Sequence, residues 1–297
     1  MKLLAPIYYK NFTCIADKCT HSCCVGWEID VDDTALEKYN STRHSYGKAI
    51  RDSIDYEPDP HFRLCENDRC PHLDEKGLCN IITHLGKEFL CDICTEHPRF
   101  YNDTVRGKEV GLGMACEEAC RIILGSDDYM ELVQIGTVDG EEQEFDFDPT
   151  PEREVILSIL SDRSLDYNER LAKIYAQFTI SPQIISDSQW QEVISQLEYL
   201  DPDHRKMLLA YTSDLETPKE LEKYLERALA YFIYRHCTQA FDENDLKIRL
   251  GFCLFCERLL CSVAKDNLDS IECLARIISE EIEYSIDNTE KIQEQFL

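Results

Sequence analysis

The pattern of apolar and polar positions changes character about midway along this chain of 297 residues. From Thr150 onward, apolar residues recur at helical spacing and helix-start signals precede them. Thr150-Pro151-Glu152 offers a capping hydroxyl, a first-turn proline and an acid in helical order. Thr217-Pro218-Lys219-Glu220 has the form of a capping box. It opens a helix expected over 221–237, with Leu221, Tyr224, Leu225, Ala228 and Phe232 on its apolar side. Further helices are expected over 166–178, 188–200, 243–264 and 270–285. The first 125 residues read differently. Turn signals such as Pro58-Asp59-Pro60, Asn67-Asp68 and Glu75-Lys76-Gly77 separate short apolar pieces, and helices are expected only over 33–40, 81–90 and 117–124. Pieces this short bury little apolar surface, so a metal core is expected to supply the missing stability. The pattern predicts a mainly α protein. An irregular cysteine-rich metal-cluster domain spans 1–125, an acidic linker 126–149, and an α-helical bundle domain 150–297. The linker is marked by Val138-Asp139-Gly140-Glu141-Glu142-Gln143-Glu144.

A hydrophobic fraction of 43% with 10% aromatics is that of a folded globular chain. The longest apolar stretches are interrupted by charges, as at Arg235, Arg249 and Glu257, so no membrane span is expected. The apolar part of the N-terminus is too short for a secretory signal, and the protein is expected to be cytoplasmic. In a reducing compartment, dense cysteines point to metal or redox chemistry rather than disulfides. Of the 16 cysteines, eleven lie in residues 1–120, none in 121–236 and five in 237–273. The formal charge of −27 is also uneven. Residues 1–120 carry 14 basic and 21 acidic side chains, the remainder 17 and 37. Such a surface repels phosphate backbones, which argues against nucleic acid as a partner. It suits a basic, lysine-bearing substrate or simply confers solubility.

Cys14-x4-Cys19-x3-Cys23-Cys24 places four thiols within eleven residues, two of them adjacent. A vicinal pair closes only a strained disulfide, whereas thiolates at this spacing wrap an iron–sulfur cluster or a zinc ion. A second group comprises Cys70-Pro71, Cys79, Cys91-x2-Cys94 and Cys116-x3-Cys120, with Cys65 before it. Proline directly after a ligand cysteine recurs in ferredoxin-type loops. Zinc ribbons pair two C-x2-C knuckles, and here Cys91/Cys94 alone has that form. An iron–sulfur cluster is therefore favoured, with zinc as the alternative. Cys237, Cys253, Cys256, Cys261 and Cys273 sit at helical spacing among Phe, Leu and Ile and are expected to be core thiols.

Two stretches carry a family resemblance. Phe12-x-Cys14, Cys19, Cys23-Cys24-x-Gly26-Trp27-x-Ile29-x-x-Asp32 resembles the N-terminal signature of the flagellin lysine-N-methylase family. So does Cys70-Pro71-x-Leu73, Gly77-Leu78-Cys79-x-Ile81, Leu85-Gly86 and Cys94-x-x-x-Pro98-Arg99, ending at Cys116. The segment from Tyr224 to Arg235 is similar to the family's helical C-terminal region, and YkgJ-type zinc- or iron-chelating domains share part of the cysteine pattern. The resemblance implies a 4Fe–4S cluster and transfer of methyl groups from S-adenosylmethionine to lysine side chains of flagellin. Carried over by position, it implies Cys14, Cys19, Cys23, Cys24, Cys70, Cys79, Cys94 and Cys116 as the metal-ligand set. Cys65, Cys91 and Cys120 fall outside that pattern, and Glu117 stands where the family often has proline.

Methylating a lysine needs a deprotonated amine aligned with the sulfonium methyl, and a carboxylate or tyrosine to help remove the proton. Tyr8, Tyr9, Glu28, Asp30 and Asp32 lie beside the cysteine segments. Catalytic and cofactor-binding residues are otherwise unreadable. Gly111-Leu112-Gly113 is the nearest approach to a nucleotide-binding turn, and it has no βαβ pattern around it. His21, His72, His84 and His97 lie among the cysteines as candidates to replace or orient a thiol. Arg99 is placed either to hold an anion or to offset the charge of a cluster loop.

Overall fold

In the computed structural model of the chain, the helix expected over 243–264 runs Glu243–Ala264, with the Asp242 side chain accepting from the Asp245 N–H at 2.7 Å. Residues 1–139, 144–180, 185–213 and 216–297 are described. They form two units, one of Thr13–Arg99 and one of Met1–Phe12 with Phe100–Leu297.

In the larger unit, Glu243–Ala264 packs against Glu222–His236 and Ile271–Ile278. Leu225, Phe232, Leu250 and Leu259 are fully buried among them. Asp166 closes a full capping box with Glu169 at the start of Tyr167–Gln177, and Ser186 does the same with Gln189 for Asp187–Ser195. Two start signals act differently from expectation. The helix Thr150–Leu160 already includes Thr150, whose N–H is taken by Asp148 at 3.0 Å. Thr217 is buried and donates to Asn168 at 3.0 Å, so its capping box does not form and the helix begins at Glu222. The last expected helix ends as Ile271–Ile278, followed by one π-helical turn at Ser279–Glu283.

A four-stranded sheet completes this unit, in the order Arg99–Thr104, Gly107–Leu112, Lys2–Pro6, Leu132–Thr137. Lys2–Pro6 is parallel to Gly107–Leu112 and antiparallel to Leu132–Thr137. The segment expected to be an acidic linker thus contributes a strand, while its centre, 140–143, lies outside the described residues. Residues 100–125 also cluster with the helices, because Glu117–Gly125 buries Ala119, Cys120, Ile123 and Leu124 in the helical core. By its contacts the chain divides after Phe12 and after Arg99. Across the sheet–helix boundary, Arg153 makes two hydrogen bonds to Glu109, at 2.7 and 2.8 Å, with both side chains buried.

The smaller unit is built from short helices, Asp33–Ser41, Gly47–Ser53, Asn80–Leu85 and Asp92–Glu96, and the strand pair Ile54–Asp55 with His61–Phe62. The helix expected over 81–90 stops at Gly86, whose φ of 97° a β-carbon would strain. Its core joins Ile29, Val31, Tyr39, Ile50 and Phe62 to the cysteines Cys70 and Cys91. Asp32 ties two elements together. One oxygen accepts from Ala35 N–H at 2.9 Å, the other from Asp92 N–H at 2.8 Å. Asp32→Ala is expected to destabilise this unit by about 1–2 kcal/mol. Hydrogen exchange would show it as lost protection at the Ala35 and Asp92 amides, and unchanged protection at both would refute the role. Among the described residues, no helix is long and apolar enough to cross a membrane.

Candidate metal centre

Four separate pieces of the Thr13–Arg99 unit bring five thiols together. Cys24 and Cys70 meet because their segments pair. The Cys70 N–H donates to the Cys24 carbonyl at 2.8 Å, and Gly26 N–H donates to Asp68 at 3.0 Å. Asp74 then folds the chain back. Its carboxylate accepts from the N–H groups of Lys76 and Leu78, both at 2.8 Å, and Gly77 turns with a φ of 78°. Leu73 bridges to Cys79, which leads into the helix Asn80–Leu85. Cys91 precedes the helical turn Asp92–Glu96, and Cys94 lies within it. The Tyr39 hydroxyl donates to Phe89 at 2.7 Å and lies 3.3 Å from the Cys91 sulfur.

The electrostatics of the five thiols are shared. The Cys24 thiol is pulled down to about 7, first by a hydrogen bond from Cys23, with Ser22 and Arg69 also acting against burial. Burial, aided by Cys24, Cys79 and Cys91 against a backbone hydrogen bond from His72, pushes Cys70 up to about 12. Cys79 is raised by burial even though the N–H groups of Ile81 and Ile82 point at its sulfur. Cys91 is lowered, chiefly by its hydrogen bond with Cys94, and that same bond pushes Cys94 far above the thiol range. Thiols this close cannot all ionise against one another in a buried site without a cation to balance them. Backbone N–H groups aimed at Cys70 and Cys79 are the donors that thiolate ligands use. The donor set fits a thiolate-bound metal centre.

Set against the sequence pattern, the structure brings together Cys24, Cys70, Cys79 and Cys94 and adds Cys91. Cys91-x2-Cys94 was the visible signal for the addition. Cys14 and Cys23 are exposed, Cys23 beside Cys24, and the Cys19 thiol donates to the His21 carbonyl at 2.7 Å. Cys65 is exposed. Cys116 belongs to the other unit, where it precedes Glu117–Gly125. Cys120 is buried there and donates to the Glu272 carbonyl at 3.3 Å. Cys237, Cys253, Cys256 and Cys261 are buried core thiols, whereas Cys273 is exposed because it lies on the outer side of its helix.

The other candidates sort by contact. His72 is buried between the Tyr46 and Ser53 hydroxyls, at 2.9 and 3.0 Å, and burial holds its imidazole down to about 4. His84 is exposed and stacks on Tyr46. Asp32 serves as the helix cap described above. Glu28 faces His61 at 3.5 Å, Asp30 is exposed, and Tyr8 is buried with its hydroxyl pushed above its ordinary range. Arg99 donates to the Thr95 carbonyl at 3.2 Å. Gly111 and Gly113 admit aromatic side chains rather than phosphate. A β-carbon would stand 2.2 Å from the Phe100 ring at the first and 2.0 Å from the Tyr284 hydroxyl at the second. In the larger unit, His204, Glu280 and Glu281 hold three ligand atoms within 4.8 Å of one another. Those groups already have partners. Glu281 accepts from Leu200, Asp201 and His204, and Glu280 from Arg276.

No protein-family model matches the chain. No solved structure matches it either. Over an alignment 141 residues long that covers 43% of this chain, it is 28% identical to the flagellar biosynthetic protein FliU of Salmonella muenchen, 79% of whose length is covered. At 27% identity the chain also matches the lysine-N-methylases of Salmonella choleraesuis (strain SC-B67) and Salmonella typhimurium (strain LT2). The match spans 33% of the length of each of those two proteins. In sequence, this chain resembles the lysine-N-methylase family.

Proposed function

We propose that this chain is a protein-lysine N-methyltransferase of the flagellin-modifying kind, using S-adenosylmethionine and holding a 4Fe–4S cluster in its Thr13–Arg99 unit. The observation that carries the reading is the convergence of Cys24, Cys70, Cys79, Cys91 and Cys94 in a chain similar to lysine-N-methylases. Thiolates from this set would hold the irons of a cubane. When bound, the cluster would supply the positive core that the thiolates need and cross-link the segments carrying them.

Methyl transfer itself moves no electrons to or from a cluster. The lysine Nζ lone pair forms the new N–C bond, the C–S pair returns to sulfur, and S-adenosylhomocysteine leaves. The ammonium proton must be removed first. Glu28 and Asp30 are exposed carboxylates on the loop that follows Cys24, Glu28 facing His61 at 3.5 Å. The acidic surface suits a lysine-bearing protein substrate. Anaerobic reconstitution is expected to yield four irons and four sulfides per chain. The loaded protein is then expected to transfer labelled methyl from S-adenosylmethionine to flagellin lysines. Loaded protein that methylates no flagellin would refute the catalytic reading.

One observation favours a second reading, a non-enzymatic zinc- or iron-binding or electron-transfer module. The match covers only a third of the lysine-N-methylases, so most of their length has no counterpart in it. Metal binding with no methyl transfer is the outcome this second reading expects.

A further inference from the structure

We propose that His97 supplies a nitrogen ligand to the metal centre of the Thr13–Arg99 unit. The inference rests on the metal reading above and deepens it. Its starting point is an unpaired atom. The Nε2 of His97 is buried without a hydrogen-bond partner. A buried polar atom left unpaired costs about 1–3 kcal/mol, and native structures hold few of them. The nearby histidines show the contrast. Both ring nitrogens of His72 are taken by hydroxyls, and His84 stands exposed on a tyrosine ring.

Position turns the unpaired atom into a ligand candidate. His97 ends the helical turn Asp92–Glu96, its N–H donating to the Ile93 carbonyl at 3.1 Å. It therefore follows Cys94 at i+3, the spacing that stacks two side chains on one helical face. On its other side stands Trp27, with ring centres 6.1 Å apart. Trp27 is itself anchored, its indole N–H donating to the Cys23 carbonyl at 2.6 Å. The imidazole is thus bracketed by the segments that carry Cys94 and Cys23-Cys24. The charged and titratable groups that act on it are Arg99 and His21. Imidazole is a competent ligand for iron and zinc alike, and a neutral donor adds no further negative charge to five crowded thiols. Coordination would give Nε2 the partner it lacks.

X-ray absorption at the metal edge of the anaerobically reconstituted full chain tests this, because it counts nitrogen and sulfur neighbours for iron or zinc. A nitrogen neighbour at about 2.0–2.1 Å, the zinc–imidazole distance, is expected in the wild-type protein. It should vanish in His97→Ala and persist in His84→Ala, with metal content retained in both. Should His97→Ala fail to fold, His97→Cys is expected to bind metal with an all-sulfur shell. An all-sulfur shell in the wild type, or a nitrogen neighbour that survives in His97→Ala or His97→Cys, overturns the ligand assignment alone. A wild-type chain that takes up neither iron nor zinc overturns the metal reading, and the assignment falls with it.

Discussion

Cys70→Ser is expected to abolish metal loading and to unfold the Thr13–Arg99 unit, whereas Cys65→Ser is expected to do neither. Cys70 is buried beside Cys24, Cys79 and Cys91, and Cys65 is exposed. The size of the effect follows from what holds this unit together. Its helices are short, from five residues in Asp92–Glu96 to nine in Asp33–Ser41. Helices of that length are not stable alone. Their apolar core is small and ends at the sulfurs. A thiolate-bound metal can contribute about 10–16 kcal/mol of apparent folding free energy, more than the whole stability of many domains. Loss of the buried Cys70 thiolate removes much of that contribution, and a chelator should act the same way on the wild type. Metal analysis reads the first effect. Hydrogen exchange at Ala35, Phe62 and Asp92 reads the second. Full protection of those amides in metal-free Cys70→Ser would refute the stabilising role.

What the sequence revealed of this centre, and what it hid, have distinct physical origins. Local spacing announces thiols that lie close along the chain and meet in space, and Cys91-x2-Cys94 is such a case. It does not reveal which distant segments meet. That depends on the pairing of Cys24 with Cys70 and on the Asp74–Gly77 turn, which are tertiary events. The same limit governs the fold. Glu243–Ala264 follows directly from periodicity and a capping aspartate. The sheet does not, because Lys2–Pro6 pairs with strands more than a hundred residues away. Acidic composition around 138–144 also concealed the strand Leu132–Thr137, whose burial pattern does not alternate. Thr217 looked like a cap because Glu220 follows at the right spacing, yet burial gave its hydroxyl a different partner. Cys273 shares the composition of its neighbours and differs only in the helical face it occupies.

The buried pair of Arg153 and Glu109 carries the second large expected effect, because it ties the sheet of the larger unit to its helices. Glu109 lies on the strand Gly107–Leu112 and Arg153 on the helix Thr150–Leu160, with relative side-chain exposures of 0% and 2%. Arg153 also reaches the Thr238 hydroxyl and lies over the Tyr234 ring at 5.4 Å. The pair therefore joins sheet and helices by interactions that water cannot replace. Arg153→Met would leave the Glu109 carboxylate buried with no cation. The expected cost is about 3–5 kcal/mol. The double change Arg153→Met with Glu109→Leu should recover most of that loss, since paired apolar side chains carry no desolvation penalty. Urea unfolding of the full chain, followed by circular dichroism of its helices, measures both. If the single variant loses less than about 1 kcal/mol, as is typical of exposed pairs, the pair does not hold the two elements together. If the double variant is no more stable than the single one, the cost lies in the lost geometry of the guanidinium fork rather than in an uncompensated charge. The two variants together thus separate the charge of this contact from its shape.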